Sequence, residues 1–170
     1  NFFFFSIFLY IRYTVVMKPK KNIYKKNIVL LGGFLFFAFF AFLDQWLKFF
    51  ARTHREYTHY IIEPWIGWEY LGNGGVAFGI PVPNTLLLIV TPFILLFLSR
   101  FFLQHKKPST TLCAAYILIL GGALSNFIDR LLFGITIDYF RILTSVFNVA
   151  DIMIVVGAGL LIVEEYKKKK

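Results

Sequence analysis

The chain has 170 residues, 58% of them hydrophobic and 22 of them phenylalanine, with a mean hydropathy of +0.69. That composition excludes an ordinary soluble domain, because the apolar residues gather into runs long enough to cross a hydrocarbon core. The net charge of +9 does not argue for nucleic acid either: the basic residues sit in three clusters beside apolar runs, and no recognition motif accompanies them.

Residues 1–16, "NFFFFSIFLYIRYTVV", are apolar but too short to span, are interrupted by Arg12, and lack a small-residue cleavage site. They read as a non-native upstream extension before Met17, with an amphipathic surface segment as the alternative. Residues 17–170 then form a single membrane domain. The basic cluster "KPKKNIYKK" precedes a first apolar run at about residues 28–50, and further runs follow at about 84–102, 112–133 and 149–166. Each holds about 20 residues, the length of a membrane-crossing helix. The other basic clusters, "RFFLQHKK" and "EEYKKKK", lie after the second and fourth runs. Four spans place all three clusters on one side, which the positive-inside rule makes cytoplasmic.

The fold class expected is therefore an all-α membrane protein, a four-transmembrane-helix bundle with both termini in the cytoplasm. Residues 51–83, outside the membrane between the first two spans, mix aromatic and β-branched residues with Gly and Pro. They read as short strands and turns, a small extracytoplasmic β-structured region. Trp65 and Trp68 flank Gly67 and suit a membrane–water interface. Pro92 within the second run is tolerable where neighbouring helices re-satisfy the freed carbonyl. Cys113, the single cysteine, forms no internal disulfide and reads as packing.

The polar residues in or beside the spans share one depth, away from the lysine clusters. Asp44 and Lys48 lie near the outer end of the first span, and Asn73 precedes the second. Asn126, Asp129 and Arg130 end the third, Asp138 lies in the last connection, and Asn148 and Asp151 open the fourth. Helix ends scattered in sequence thus converge on one polar patch.

Spacing sharpens the pattern. Asn126 and Asp129 are three apart, as are Asn148 and Asp151, so each pair shares a helical face. Such pairs on antiparallel helices can meet across the bundle, either as interhelical glue or as a site. Arg130 offers Asp129 an immediate charge partner, which favours the structural reading there. Asp44 and Lys48, four apart, read as a local ion pair with the lysine reaching to the interface. Asp151 has no cation nearby in sequence, and the next carboxylate along the chain is Asp138. Two aspartates close together in low dielectric share a proton, leaving one acid and one base. That arrangement activates water against a carbonyl.

Other chemistries find less support. There is no H-E-x-x-H motif, and His54, His59 and His105 lie outside the spans, leaving Ser125 without an embedded base. His54 and His59, near Glu56 and Glu63, read as solvated loop residues; no metal and no cofactor are expected. A transporter remains the competing functional class, but it should place carboxylates near midplane at broken helices. A purely structural membrane protein would need no unpaired carboxylate.

Five blocks, "DQWLK" (44–48), "NGGVAFG" (73–79), "GGALSNFIDR" (121–130), "TIDYF" (136–140) and "FNVAD" (147–151), resemble in order those of the lipoprotein signal peptidase family, signal peptidase II. The resemblance implies an aspartic endopeptidase of the bacterial cytoplasmic (inner) membrane with its active site at the outer face. Such an enzyme removes the signal peptide from a prolipoprotein by cleaving before its diacylglyceryl-modified cysteine. It implies Asp138 and Asp151 as the catalytic dyad, with Asn73, Asn126, Arg130 and Asn148 lining the site and orienting dyad or substrate. Asp44 and Asp129, with Lys48, fall at positions of structural support. The implied partners are diacylglyceryl-modified prolipoproteins and membrane lipids, and a monomer is expected. Two positions depart from the family pattern: Leu47 stands where Ser or Thr is frequent, and Ser125 where Gly is frequent.

Overall fold

The computed structural model describes residues 21–76, 80–105 and 108–168; the expected extension at residues 1–16 lies outside them. In chain order the elements are α1 (Lys21–Thr53), β1 (His59–Ile62), β2 (Ile66–Asn73), α2 (Asn84–Leu103), α3 (Thr110–Phe133), β3 (Thr136–Ile142), β4 (Ser145–Phe147) and α4 (Val149–Lys168). The chain is mostly helical. Among the described residues, three stretches, Leu31–Thr53, Asn84–Leu103 and Thr110–Phe133, are long and apolar enough to cross a membrane. The 20-residue α4 has comparable length but carries Asp151 in its first turn and charged residues at its other end.

Local chemistry sets the helix boundaries. The Ser109 side chain accepts a hydrogen bond from Leu112 N at 3.0 Å and so caps α3. The same helix stops at Gly134, whose φ of 75° is left-handed and needs no Cβ; its N–H returns to Arg130 O. That reversal starts β3 two residues later. At the start of α4, Asp151 N donates to Asn148 Oδ1 at 2.9 Å and Asn148 N donates to Asp151 Oδ2 at 3.3 Å. This reciprocal closure is a capping box with a carboxylate in the third helical position.

The four strands form one antiparallel sheet in the order β1-β2-β3-β4. Only half of it comes from residues 51–83, where β structure was expected. The other half, β3 and β4, comes from the connection between α3 and α4, so the all-α expectation for the rest of the chain is corrected there. Asp138 therefore lies on a strand, paired in register with Leu71 beyond a bulge between Trp68 and Leu71.

Helices α3 and α4 approach closely because both are thinned by glycine. A Cβ on Gly122 would lie 2.3 Å from Ala150 O, and one on Gly157 would lie 2.8 Å from Ala115 O. By contrast α2 buries no residue, and Phe93 and Phe97 on it are each 68% exposed. Such apolar exposure suits lipid rather than water. The core of Ala51, Ile137, Tyr139, Val149 and Met153 sits where the ends of α1 and α4 meet β3. Trp68 stacks on Tyr139 with ring centroids 4.8 Å apart, and so closes the sheet over that junction.

Candidate active site

The end of α1 supplies Asp44, Gln45 and Lys48, and the end of α3 supplies Ser125, Asn126, Asp129 and Arg130. Strand β3 supplies Asp138 and Tyr139, and the start of α4 supplies Asn148 and Asp151. All nine residues expected at the patch converge, Asn73 arriving from the end of β2.

Its base is a buried polar hub around Lys48, which is 1% exposed. The ammonium reaches Asp44 Oδ2 at 2.7 Å, Asp129 Oδ2 at 2.8 Å and Asn126 Oδ1 at 2.8 Å. A lysine has three N–H donors, and here each has an acceptor. The lysine does not reach to the interface as the sequence suggested; α3 presents acceptors to it inside the fold. Asp44 also accepts from Ser125 Oγ at 2.7 Å, Tyr139 OH at 3.0 Å and Ala150 N at 3.1 Å. Asp129 accepts from Gln45 Nε2 at 3.1 Å and from Ile137 N at 3.3 Å. Buried charges of this kind persist only when paired and fully hydrogen-bonded.

Arg130 is not the partner of Asp129. Neighbouring side chains on a helix point about 100° apart, and the Arg130 guanidinium turns the other way, donating to Gly75 O at 2.9 Å. The turn that it holds is closed by Gly75 N donating to Asn73 Oδ1 at 2.9 Å. Among the described residues, Arg130 Nη1 is buried without a hydrogen-bond partner, and the guanidinium lies within electrostatic reach of Asp138 and Asp151.

Above the hub sit those two carboxylates, with all four oxygens engaged. Asp138 accepts from Asn148 Nδ2 at 2.6 Å and Asn73 Nδ2 at 2.9 Å. Asp151 accepts from Asn126 Nδ2 at 2.8 Å and Asn148 N at 3.3 Å. Asn148 thus brackets the pair, giving its amide to one and its backbone N–H to the other. The Asp138 carboxyl is pushed up to about 6, first by burial and next by the charge of Asp151, against the lowering pull of Asn73, Asn148 and Lys48. A carboxyl held there keeps a proton into the range where an ordinary aspartate has lost it. Burial, then the Asp44 charge, pushes the Tyr139 hydroxyl far above its ordinary value, so it remains a donor to Asp44.

A family model described as Signal peptidase (SPase) II matches residues 36–167. The chain belongs to the signal peptidase II family. Among the curated members it resembles, the lipoprotein signal peptidase of Chlorobium phaeobacteroides is 33% identical over 76% of this chain and 92% of its own length. That of Acinetobacter baylyi is 31% identical over 91% of this chain and 92% of its own; that of Halothermothrix orenii is 36% identical over 75% and 90%. A solved structure described as a bacterial membrane enzyme superposes with a TM-score of 0.75 at 28% identity, covering 82% of this chain and 90% of that one. Together with the apolar helices, these matches make the chain a membrane protein.

Within this family member, sequence reasoning overlooked Gln45 and Tyr139. Gln45 Nε2 donates to Ser125 Oγ at 2.8 Å as well as to Asp129, and Tyr139 OH accepts from Val149 N at 3.1 Å. Gln45 stood one residue from a charge already singled out. Tyr139 gave no sign beyond its place beside Asp138. Ser125, a departure from the family pattern, is absorbed into the hub through Asp44 and Gln45. Leu47, the other departure, packs half-buried against the core.

Proposed function

We propose that this chain removes the signal peptide from prolipoproteins by an aspartic mechanism, cutting just before the diacylglyceryl-modified cysteine. Membership of the signal peptidase II family carries the removal of signal peptides from prolipoproteins. The observation behind the aspartic mechanism is the pair of a buried Asp138 and a half-buried Asp151, bracketed by Asn148. With one proton between them, the ionised member takes a proton from water as that water attacks the scissile carbonyl. The protonated member hydrogen-bonds the carbonyl oxygen and then returns a proton to the leaving nitrogen. Asn73, Asn126 and Asn148 hold the carboxylates, and Arg130 Nη1, unpartnered among the described residues, is a donor suited to a substrate carbonyl.

The same reading makes α1, α2, α3 and α4 four spans of the bacterial cytoplasmic membrane, with both termini cytoplasmic and the sheet and dyad at the outer face. A lipidated substrate then arrives sideways from the bilayer, at the depth where water also reaches the carboxylates. The test is cleavage of a lipidated precursor peptide by purified protein, read by mass. Release of a peptide ending immediately before the modified cysteine supports the reading. Cleavage elsewhere, or equal cleavage of the unlipidated peptide, contradicts it.

A further inference from the structure

Lysine has donors only, so whichever atom of Asn126 faces Lys48 must be the amide oxygen. The Asn126 NH2 is then obliged to face the opposite way, where Asp151 Oδ1 accepts it at 2.8 Å. An asparagine without that constraint can turn over and present oxygen instead, which a carboxylate repels and a protonated carboxyl welcomes. We propose that Lys48 is a positioning residue for the acid–base pair: by taking the Asn126 oxygen it fixes the amide donor on Asp151 and keeps that carboxyl as the base. The inference rests on the dyad reading above and extends it to a residue that never meets substrate.

The same ammonium also sets the frame on both sides. Asp129, which it holds, accepts from Ile137 N, the neighbour of Asp138. Asp44, which it also holds, accepts from Ala150 N, the neighbour of Asp151. The charged and titratable groups around Asp151 are Asp44 and Lys48 from α1, Arg130 from α3 with Asp129 behind it, and Asp138 and Tyr139 from β3. Among these, Lys48 reaches the Asp151 carboxylate through the side-chain amide of Asn126, and Asp138 is joined to Asp151 through Asn148.

Removing Lys48 alone would leave Asp44 and Asp129 facing each other, so the informative variant is Lys48→Met combined with Asp129→Asn. It removes one charge of each sign and leaves the net charge of the hub as it was. Measured against the unmodified chain, whose hub carries the same net charge, kcat should fall about tenfold or more with KM nearly constant, and the pH–rate profile should move to higher pH. A folded double variant with the kcat and pH profile of the unmodified chain overturns the proposal. Asn126→Leu provides the second reading, because Lys48 keeps both of its carboxylates there. The same fall in kcat and the same shift support the positioning role; a wild-type profile overturns it. Turnover by Asp138→Asn or Asp151→Asn would instead sink the dyad reading itself. Inactive dyad variants beside an unaltered Asn126→Leu would sink only this inference.

Discussion

At the scale of single residues, the proposed site separates groups that hold charge permanently from groups that exchange it. Lys48 spends all three donors on Asp44, Asp129 and Asn126, which leaves it nothing to offer a substrate. Asp129→Asn should therefore cost stability, about 1–3 kcal/mol for a weakened bond to a charged group, seen as a lower melting temperature. The folded fraction should still cleave. Loss of all turnover in a fully stable Asp129→Asn would move Asp129 into the catalytic pair. The Asp138 carboxyl, pushed up to about 6 mainly by burial, gives a signed pH dependence. An acid–base pair needs its proton, and that proton is lost as pH rises through the raised value. The alkaline limb of kcat/KM should therefore begin near pH 6 to 7, rather than near the ordinary carboxyl range. The same raised value means that the folded state binds more protons than the unfolded chain between the two values. The contribution of Asp138 to stability thus fades as pH rises through them.

At the scale of elements, the proposed dyad depends on how closely α4 can approach α3. Gly122 faces the carbonyl of Ala150, the residue before Asp151, and a Cβ there would come within 2.3 Å of that oxygen. Backbone cannot give way cheaply, so Gly122→Ala should push the first turn of α4 outward. The expected cost is about 1–3 kcal/mol in thermal unfolding, with cleavage reduced more than substrate binding. Wild-type turnover in Gly122→Ala would show that the α3–α4 contact does not set the dyad.

Strand β3 was the element least legible in the sequence, and its surroundings explain why. Its first four residues are all buried, so no in–out alternation marks it. It turns into β4 through Leu143 and Thr144 without the glycine or asparagine that usually signals a hairpin; Leu143 takes a φ of 56° instead. The first three apolar runs, by contrast, were plain, because length and apolarity are local properties. The Asp44–Lys48 spacing was legible for the same reason. The burial of Lys48 was not, since its remaining acceptors lie 78 or more residues away on α3. The supposed Asp129–Arg130 pair failed because adjacency in sequence is not adjacency on a helix.

Across the whole molecule, a polar centre is assembled at one end of an apolar bundle and roofed by a sheet drawn from two separate connections. The proposed orientation predicts that Tyr57→Cys in a Cys113→Ala background is labelled by an impermeant thiol reagent on intact cells. Protection at Tyr57 with labelling near Lys168 would reverse it. The central claim, that Asp138 and Asp151 are one acid–base pair, is tested most directly by turnover of a lipidated precursor peptide by Asp138→Asn and Asp151→Asn, each checked for folding by its melting temperature. Each substitution keeps the shape of the side chain but removes the exchangeable proton. The account predicts no cleavage by either variant, with melting temperatures close to that of the unmodified chain. Substantial turnover by either folded variant would contradict it.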